Sequence, residues 1–176
     1  IFRALPELLT LLMIYYGGQI LARNIAMELG FSGDIEINGF LAGMIALGVV
    51  LGAFSSEVWL TGLRGIPRGQ REGAHALGLS RWTAFRKVVF PQVLRLSLPG
   101  LGNNWLVLLK DTALVSVIAF KDLMRMTHIA VGNTKMPFLF YGLCCVIYLL
   151  MSSVTGWVLH RLEVRASRGY GPRVKA

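Results

Sequence analysis

Two neighbouring charged residues interrupt a long apolar stretch of the chain. Lys110 and Asp111 lie in residues 96–120, which contain no other charged side chain. If this stretch crosses a membrane, each charge costs roughly 2.5–3.5 kcal/mol near the helix centre, and such residues commonly mark a solute pathway. Adjacent side chains on a helix point about 100° apart and form a poor mutual ion pair. At least one of them is therefore expected to face a polar cavity or another helix.

Three further polar residues could line the same cavity. Glu57 follows a charge-free run, and Asn103 and Asn104 precede Lys110 by one to two helical turns. A carboxylate attracts a cationic group of a solute, while Lys110 or an asparagine amide can bind an anionic group. All five residues are predicted to belong to a substrate pathway.

Each of these residues also has a structural interpretation. The charges of Lys110 and Asp111 could be satisfied by backbone groups or by a partner chain. Glu57 could lie among lipid headgroups, and the asparagines could hydrogen-bond neighbouring helices. The residues alone leave these alternatives open.

The sequence lacks the patterns that common enzyme classes need. It contains no Gly-x-x-x-x-Gly-Lys-Ser/Thr phosphate loop, no His-Glu-x-x-His metal motif and no catalytic Ser/His/Asp pattern. Cys144 and Cys145 are adjacent in an apolar run, which suits neither a disulfide framework nor a zinc site. The chain is predicted to be no enzyme and to hold no cofactor or metal of its own.

Composition favours a membrane protein. Of the 176 residues 55% are apolar and 15% charged, against about 45–50% and about 25% in average globular domains. Residues 37–56 and 136–159 carry no charge, and each is long enough to cross ~30 Å of hydrocarbon as a helix. We expect an all-α membrane helix bundle in a single domain, residues 1–176. Its predicted spans are approximately 5–27, 37–58, 94–120 and 136–160.

Basic residues predict the orientation. Residues 60–95 contain seven Lys or Arg against the single acid Glu72, and residues 161–176 contain five against Glu163. The positive-inside rule places the loop at 60–93 and the tail at 161–176 in the cytoplasm. The net charge of +9 therefore requires no nucleic-acid partner.

The loop at 60–93 has helical signals of its own. Gly78 is suited to stop a first short helix, and Ser80 to cap a second one that ends at Pro91. Trp82 and Phe85 fall with Val88 and Val89 on one predicted apolar face of the second helix. Such a loop fits either docking to a protein or an amphipathic helix lying on anionic lipid.

The order of residues in this loop resembles the EAA loop of bacterial ABC-importer permeases. Glu72-Gly73-Ala74 is followed by three residues, Gly78, nine residues, and Val88-x-Phe90-Pro91. The family pattern is Glu-Ala-Ala, three residues, Gly, nine residues and Ile-x-Leu-Pro. Gly73 departs from it where the family has Ala, which costs a helix interior roughly 1 kcal/mol.

Other segments resemble the polar amino-acid branch of these permeases, closest to those for histidine, basic amino acids and opines. They are Phe-Arg-Ala-Leu-Pro at 2–6, Leu-Pro-Gly-Leu-Gly-Asn at 98–103 and Leu-Lys-Asp-Thr at 109–112. The branch has one more membrane helix before the first segment, so we expect the chain to begin inside a five-helix core. It often has Glu where Asn104 stands, which argues for a weaker or different substrate site.

The resemblance implies a subunit of an ATP-driven importer in the bacterial inner membrane. Its implied partners are a second, identical or homologous permease, two ATPases that use ATP and Mg, and a periplasmic substrate-binding protein. The implied ATPase-coupling residues are Glu72, Gly73, Ala74, Gly78, Trp82, Phe85 and Pro91. The alternative is a channel or proton-coupled carrier without an ATPase, whose loop lies on lipid.

Overall fold

The computed structural model describes residues 6–29, 38–118 and 120–167, and every regular element within these ranges is a helix. The predicted all-α class is confirmed. Helix α1, Glu7–Leu12, continues through a π-helical turn, Met13–Gly17, into α2, Gly18–Glu28. The elements that follow are α3, Gly39–Arg64; α4, Arg68–Ala76; α5, Arg81–Ala84; a π-helical turn, Phe85–Val89; α6, Phe90–Asp111; a 3-10 helix, Thr112–Ile118; α7, Leu123–Thr134; and α8, Pro137–Ser167.

Two of these helices are long and apolar enough to cross a membrane. They are α3 and α8, and they overlap the predicted spans at 37–58 and 136–160. Along α8 the chain itself buries only Cys144. The remaining apolar surface of α8 must be covered by hydrocarbon or by another chain, because proteins rarely expose an apolar patch of this size to water.

The predicted spans at 5–27 and 94–120 also fall on helical chain. The first coincides with α1, its π-helical turn and α2, and the second with α6 and the 3-10 helix that follows. That these segments cross the membrane stays a prediction.

The chain divides into two compact units, of which the first comprises Ile1–Phe54 and Trp105–Ser152. Its core joins α1, α3 and the 3-10 helix. The α3 backbone approaches closely there, since a Cβ added at Gly43 would lie 2.8 Å from Val115 Cγ1. The buried residues of this core are Leu11, Ala42, Ala46, Leu47, Val115 and Ile118.

Helix α7 belongs to the first unit and was not predicted from the sequence. Its cap is Asp122, whose Oδ1 accepts a hydrogen bond of 2.8 Å from the Arg125 N–H. The helix ends at Lys135, which has φ of 57°. Asp122 is an acidic N-cap residue and therefore a local signal for a helix start. The apolar residues that follow it form too short a pattern to predict a helix.

The second unit comprises Ser55–Asn104 and Ser153–Ala176. Within it, α3 and α6 approach without room for a side chain. A Cβ at Gly62 would overlap Ser97 Oγ, and a Cβ at Gly100 would lie 2.7 Å from Val58 Cγ1. Ser97 is buried and donates a hydrogen bond of 3.3 Å to the Val58 carbonyl oxygen. Small residues let the two backbones pack closely, as at many membrane helix interfaces.

The prediction that Pro91 ends the second loop helix is wrong. Pro91 is the second residue of α6, and the chain is helical from Arg81 to Asp111. Just before it, the Phe90 N–H donates to the Phe85 carbonyl, five residues back, in the π-helical turn. A proline removes one helical N–H and crowds the carbonyl four residues before it. The wider turn gives the backbone room for Pro91 without breaking the helix.

The contact between α3 and α6 predicts opposite effects for two glycines of one helix. Gly62→Ala should lower the free energy of unfolding by about 1–3 kcal/mol, because its methyl group has no space beside Ser97. Gly52→Ala, where a Cβ meets nothing within 4 Å, should raise it by up to about 1 kcal/mol. Thermal unfolding of both variants in the same detergent measures this difference. Equal stabilities would show that the close approach is not a constraint.

Candidate functional site

Six of the seven predicted ATPase-coupling residues lie in one compact hairpin, defined here as residues 68–90 of the second unit. The seventh, Pro91, follows it as the second residue of α6. Helix α4 forms one arm, and α5 with the following π-helical turn forms the other. The arms pack against each other, with Ala74 and Ala84 almost completely buried. Small residues at these two positions allow that packing.

A glycine cap joins the two arms. Gly78 has φ of +74°, a left-handed conformation that glycine adopts without the steric cost of a Cβ. Its N–H donates to the His75 carbonyl at 2.9 Å, and the Leu79 N–H donates to the Ala74 carbonyl at 3.1 Å. These two bonds form a Schellman motif. The predicted stop at Gly78 is confirmed.

The second arm begins at the predicted cap. Ser80 Oγ accepts a hydrogen bond of 3.3 Å from the Thr83 N–H, as a helix N-cap does. Its hydroxyl also lies 2.9 Å from Thr83 Oγ1. The short chain between Gly78 and Ser80 therefore has a cap on each side, which defines the angle between the arms.

The hairpin is anchored to the helices on both sides of it. Val89 packs with Ile66 and Val93 in a small buried core, against Trp59 and Leu63. A polar contact also joins the first arm to α6: Gln92 Nε2 donates to Gln70 Oε1 at 3.2 Å. Sequence reasoning missed this glutamine pair, because side chains 22 positions apart give no local signal.

Four aromatic rings form a continuous row along the second arm. Trp82 stacks on Phe85 with 6.1 Å between ring centroids, and Phe85 lies 6.0 Å from Phe90. Phe90 in turn stacks on Trp59 of α3 at 6.4 Å. Aromatic pairs at these distances contribute about 0.5–1.5 kcal/mol each beyond burial. Sequence reasoning missed Trp59, and it identified Phe90 only as a position of the EAA-like pattern and not as the ring that connects the row to α3.

The prediction of one apolar face on the second loop helix is wrong. Val89 is buried, whereas Trp82 and Phe85 are exposed by 70% and 39% of their surface. The π-helical turn has more residues per turn than an α-helix, so it separates residues that a regular 3.6-residue period places together. Buried aliphatic residues thus anchor the arm, and aromatic residues remain on its surface.

The outer surface of the hairpin combines apolar and charged side chains. Leu77 is exposed by 82% of its surface, and Glu72 and Gly73 are exposed beside it. The exposed basic residues are Arg68, Arg71, Arg81, Arg86 and Lys87. An exposed aromatic anchor surrounded by charge is typical of a protein-docking surface.

The five predicted substrate-pathway residues are divided between the two units. Glu57, Asn103 and Asn104 belong to the second, and Lys110 and Asp111 to the first. Asn104 is half-buried, and its Nδ2 is buried without a hydrogen-bond partner among the described residues. That these residues line one cavity stays a prediction.

The first unit contains a cavity of about 360 Å³ that is largely apolar. Phe40 and Phe120 stand together in its wall, with ring centroids 5.6 Å apart. Met44, Leu47 and Thr112 also contribute to the lining. None of the five predicted pathway residues is among the described residues that line it.

Comparison with known proteins gives one family. The sequence pattern of the family described as "Binding-protein-dependent transport system inner membrane component" matches residues 1–168. The chain thus resembles this family over nearly its whole length.

Individual relatives agree with the family. The chain is 40% identical to the histidine/lysine/arginine/ornithine transport system permease protein of Escherichia coli (strain K12), over 96% of this chain and 74% of that one. It is 41% identical to the nopaline transport system permease protein of Agrobacterium fabrum, over 96% and 72%. The arginine ABC transporter permease protein of Escherichia coli (strain K12) is 42% identical, over 96% and 76%.

A solved structure has the same fold. It is a crystal structure of an amino acid ABC transporter with histidines, similar to this chain with a TM-score of 0.76 and 35% sequence identity. The match covers 93% of this chain and 71% of that one.

Two glycines of the hairpin should respond in opposite directions to the same substitution. A Cβ at Gly73 or at Gly78 meets nothing within 4 Å, but only Gly78 has a positive φ. Gly73→Ala should therefore stabilise α4 by about 1 kcal/mol, whereas Gly78→Ala should destabilise the hairpin by about 1–2 kcal/mol. Hydrogen exchange of the amides of α4 measures both effects. Slower exchange in Gly78→Ala would contradict the left-handed cap.

Proposed function

Because this chain belongs to the binding-protein-dependent transport system inner membrane components, we propose that it is the permease subunit of an ATP-driven importer for basic amino acids or opines. The permease supplies the pathway for the solute and the surface to which the ATPase binds. The sequence has no phosphate loop, so the energy of ATP must enter through contact with another chain. Membership of this family favours an importer over the alternative of a channel or proton-coupled carrier.

The observation that carries the proposal is the anchored hairpin at 68–90. Its outer end exposes Leu77 and Trp82, while its inner end is held by Val89 and by the aromatic row that reaches Trp59. We propose that a cytoplasmic ATPase binds the outer end and that the row carries its movement to α3 and α6. The permease alternates between an inward-open and an outward-open state. The ATPase can shift the populations of these states only by the difference between its binding free energies for the two.

The proposed orientation follows from charge. Residues 60–95 and 161–176 hold 12 of the 18 basic side chains, so the hairpin and the C-terminal end of α8 are assigned to the cytoplasm. In this orientation α7 and the start of α8 face the periplasm, where a substrate-binding protein delivers its ligand.

The proposed assembly contains two permeases, identical or homologous, and two ATPases. ATP and Mg are used by the ATPases, and the permease itself needs no cofactor. Each permease has one hairpin and so offers one docking surface. Two permeases can therefore bind two ATPases.

Basic amino acids and opines are proposed as substrates from the relatives and from the polar residues of α6. The relatives are named for histidine, lysine, arginine, ornithine and nopaline. Asp111 supplies a carboxylate for a cationic group, and the Asn104 amide, which has no partner among the described residues, supplies a donor for an α-carboxylate. Glu57, Asn103 and Lys110 complete the proposed pathway.

The docking proposal predicts the effect of removing the exposed indole of the hairpin. Trp82→Ala should leave the permease folded in the membrane, because the ring is largely exposed, but should weaken ATPase binding by roughly tenfold or more. Co-purification of the ATPase with the permease and ATP-driven uptake in reconstituted vesicles measure the loss.

The matched control is Phe138→Ala, which removes an aromatic ring exposed by 95% at the start of α8, outside the hairpin. It should retain the ATPase and normal uptake. An importer that co-purifies and transports normally with Trp82→Ala would disprove docking through this surface.

The substrate proposal predicts a charge-selective defect. In vesicles containing the complete importer, Asp111→Asn should raise the KM for radiolabelled arginine by about tenfold or more and that for glutamine much less, because only arginine loses an ionic contact. Glu163→Gln, which neutralises an acid of the cytoplasmic end of α8, is the control. An unchanged ratio of the two KM values would remove Asp111 from the substrate site, and absence of arginine uptake by the unmodified importer would refute the substrate class.

A further inference from the structure

The cytoplasmic end of α8 carries an aromatic and basic face that neither transport nor ATPase docking explains. Trp157, Arg161 and Arg165 recur every four residues and so occupy one side of the helix. The Arg161 guanidinium lies over the Trp157 indole, with Cζ 4.5 Å from the ring centroid. This cation–π contact holds the Arg161 guanidinium against the face of the indole, and an arginine in such a contact can still donate hydrogen bonds through its N–H groups.

The face points away from the helix that packs on α8. Leu159 contacts α6, since a Cβ at Gly102 would lie 3.4 Å from its methyl groups. On an α-helix, positions 157 and 161 are each about 160° from position 159. Trp157, Arg161 and Arg165 are accordingly exposed on the far side of α8.

A shallow hollow of about 430 Å³ lies on this face, lined by Trp157, Arg161 and Arg165 together with aliphatic neighbours. Its volume is within the range of small-molecule sites, roughly 300–1,000 Å³. The lining thus combines two cationic groups, an indole and apolar carbon in one concave surface.

The two arginines have no acidic counterpart on their side of the helix. Like charges four residues apart destabilise a helix by about 0.2–0.5 kcal/mol. Glu163 is about 160° away from both, and residues 164–176 contain no acid. The charge of this face is therefore complementary to an external anion.

The position of the face along α8 indicates where that anion lies. The charge-free run ends at Leu159, and its 24 residues extend over about 36 Å, enough to cross the hydrocarbon. Trp157 then lies at the edge of the hydrocarbon and the arginines at the level of the headgroups, the usual depths for these residue types.

We propose that this face binds the phosphate of an anionic phospholipid, with phosphatidylglycerol as the representative lipid. Arg161 and Arg165 donate hydrogen bonds to the phosphate oxygens, Trp157 Nε1 donates a further one, and the apolar neighbours contact the start of the acyl chains. The proposal requires only that α8 crosses the membrane and does not depend on the transported solute.

Native mass spectrometry of the complete importer, mixed with phosphatidylglycerol and phosphatidylcholine in equal amounts, tests this site. Arg161→Gln/Arg165→Gln should reduce the preference for phosphatidylglycerol by about tenfold or more. Arg161→Lys/Arg165→Lys should retain part of it, because lysine keeps the charge but loses bidentate contacts. The control Arg125→Gln/Lys135→Gln removes two cations from α7 and its C-terminal cap and should leave the preference unchanged.

Two further measurements test whether free phosphate or a second permease, rather than a lipid, occupies this face. They are competition with inorganic phosphate and the oligomeric state of the permease. Added phosphate should not displace the lipid, because the apolar part of the hollow contacts acyl carbon. An undiminished lipid preference in the Gln variant, or displacement by phosphate alone, would overturn the lipid site. Separation of the two permeases in that variant without a change in lipid binding would assign the face to the second copy and overturn the proposal as well.

Discussion

The close approach of α3 and α6 is the constraint on which the second unit depends. At Gly62 and Gly100 the facing side chains of Ser97 and Val58 occupy the space that a Cβ would need. The two helices hold both ends of the hairpin, so their separation determines where Ile66, Val89 and Val93 meet. A larger residue at either glycine would move the base of the hairpin as well as the helices.

The hairpin extends this packing to the surface that we propose binds the ATPase. Backbone geometry at Gly78 and the Ser80 cap define the turn, and the row from Trp82 to Trp59 connects the exposed tip with α3. The tip and the base are therefore linked by direct side-chain contacts rather than by a flexible tether. In the proposed importer, such a link would carry the energy of ATP hydrolysis from the ATPase to the membrane helices.

The sequence predicted those features that depend on local chemistry. Charge-free runs identified α3 and α8, and residue type identified the caps at Gly78 and Ser80. The π-helical turn at Phe85–Val89 was not predictable, because it depends on how the chain accommodates Pro91. Contacts between distant positions, such as Gln70 with Gln92, were missed because tertiary packing has no periodic signal in the chain.

Site-specific photo-cross-linking from the tip of the hairpin tests the central claim most directly. A benzophenone amino acid in place of Leu77, which is exposed by 82%, is introduced into the permease in cells that contain the whole importer. Irradiation should give a covalent adduct with the ATPase, and the same group at Phe138 should give none. An ATPase adduct from position 138, or adducts from position 77 with lipid or periplasmic protein only, would contradict a cytoplasmic hairpin that receives the motor.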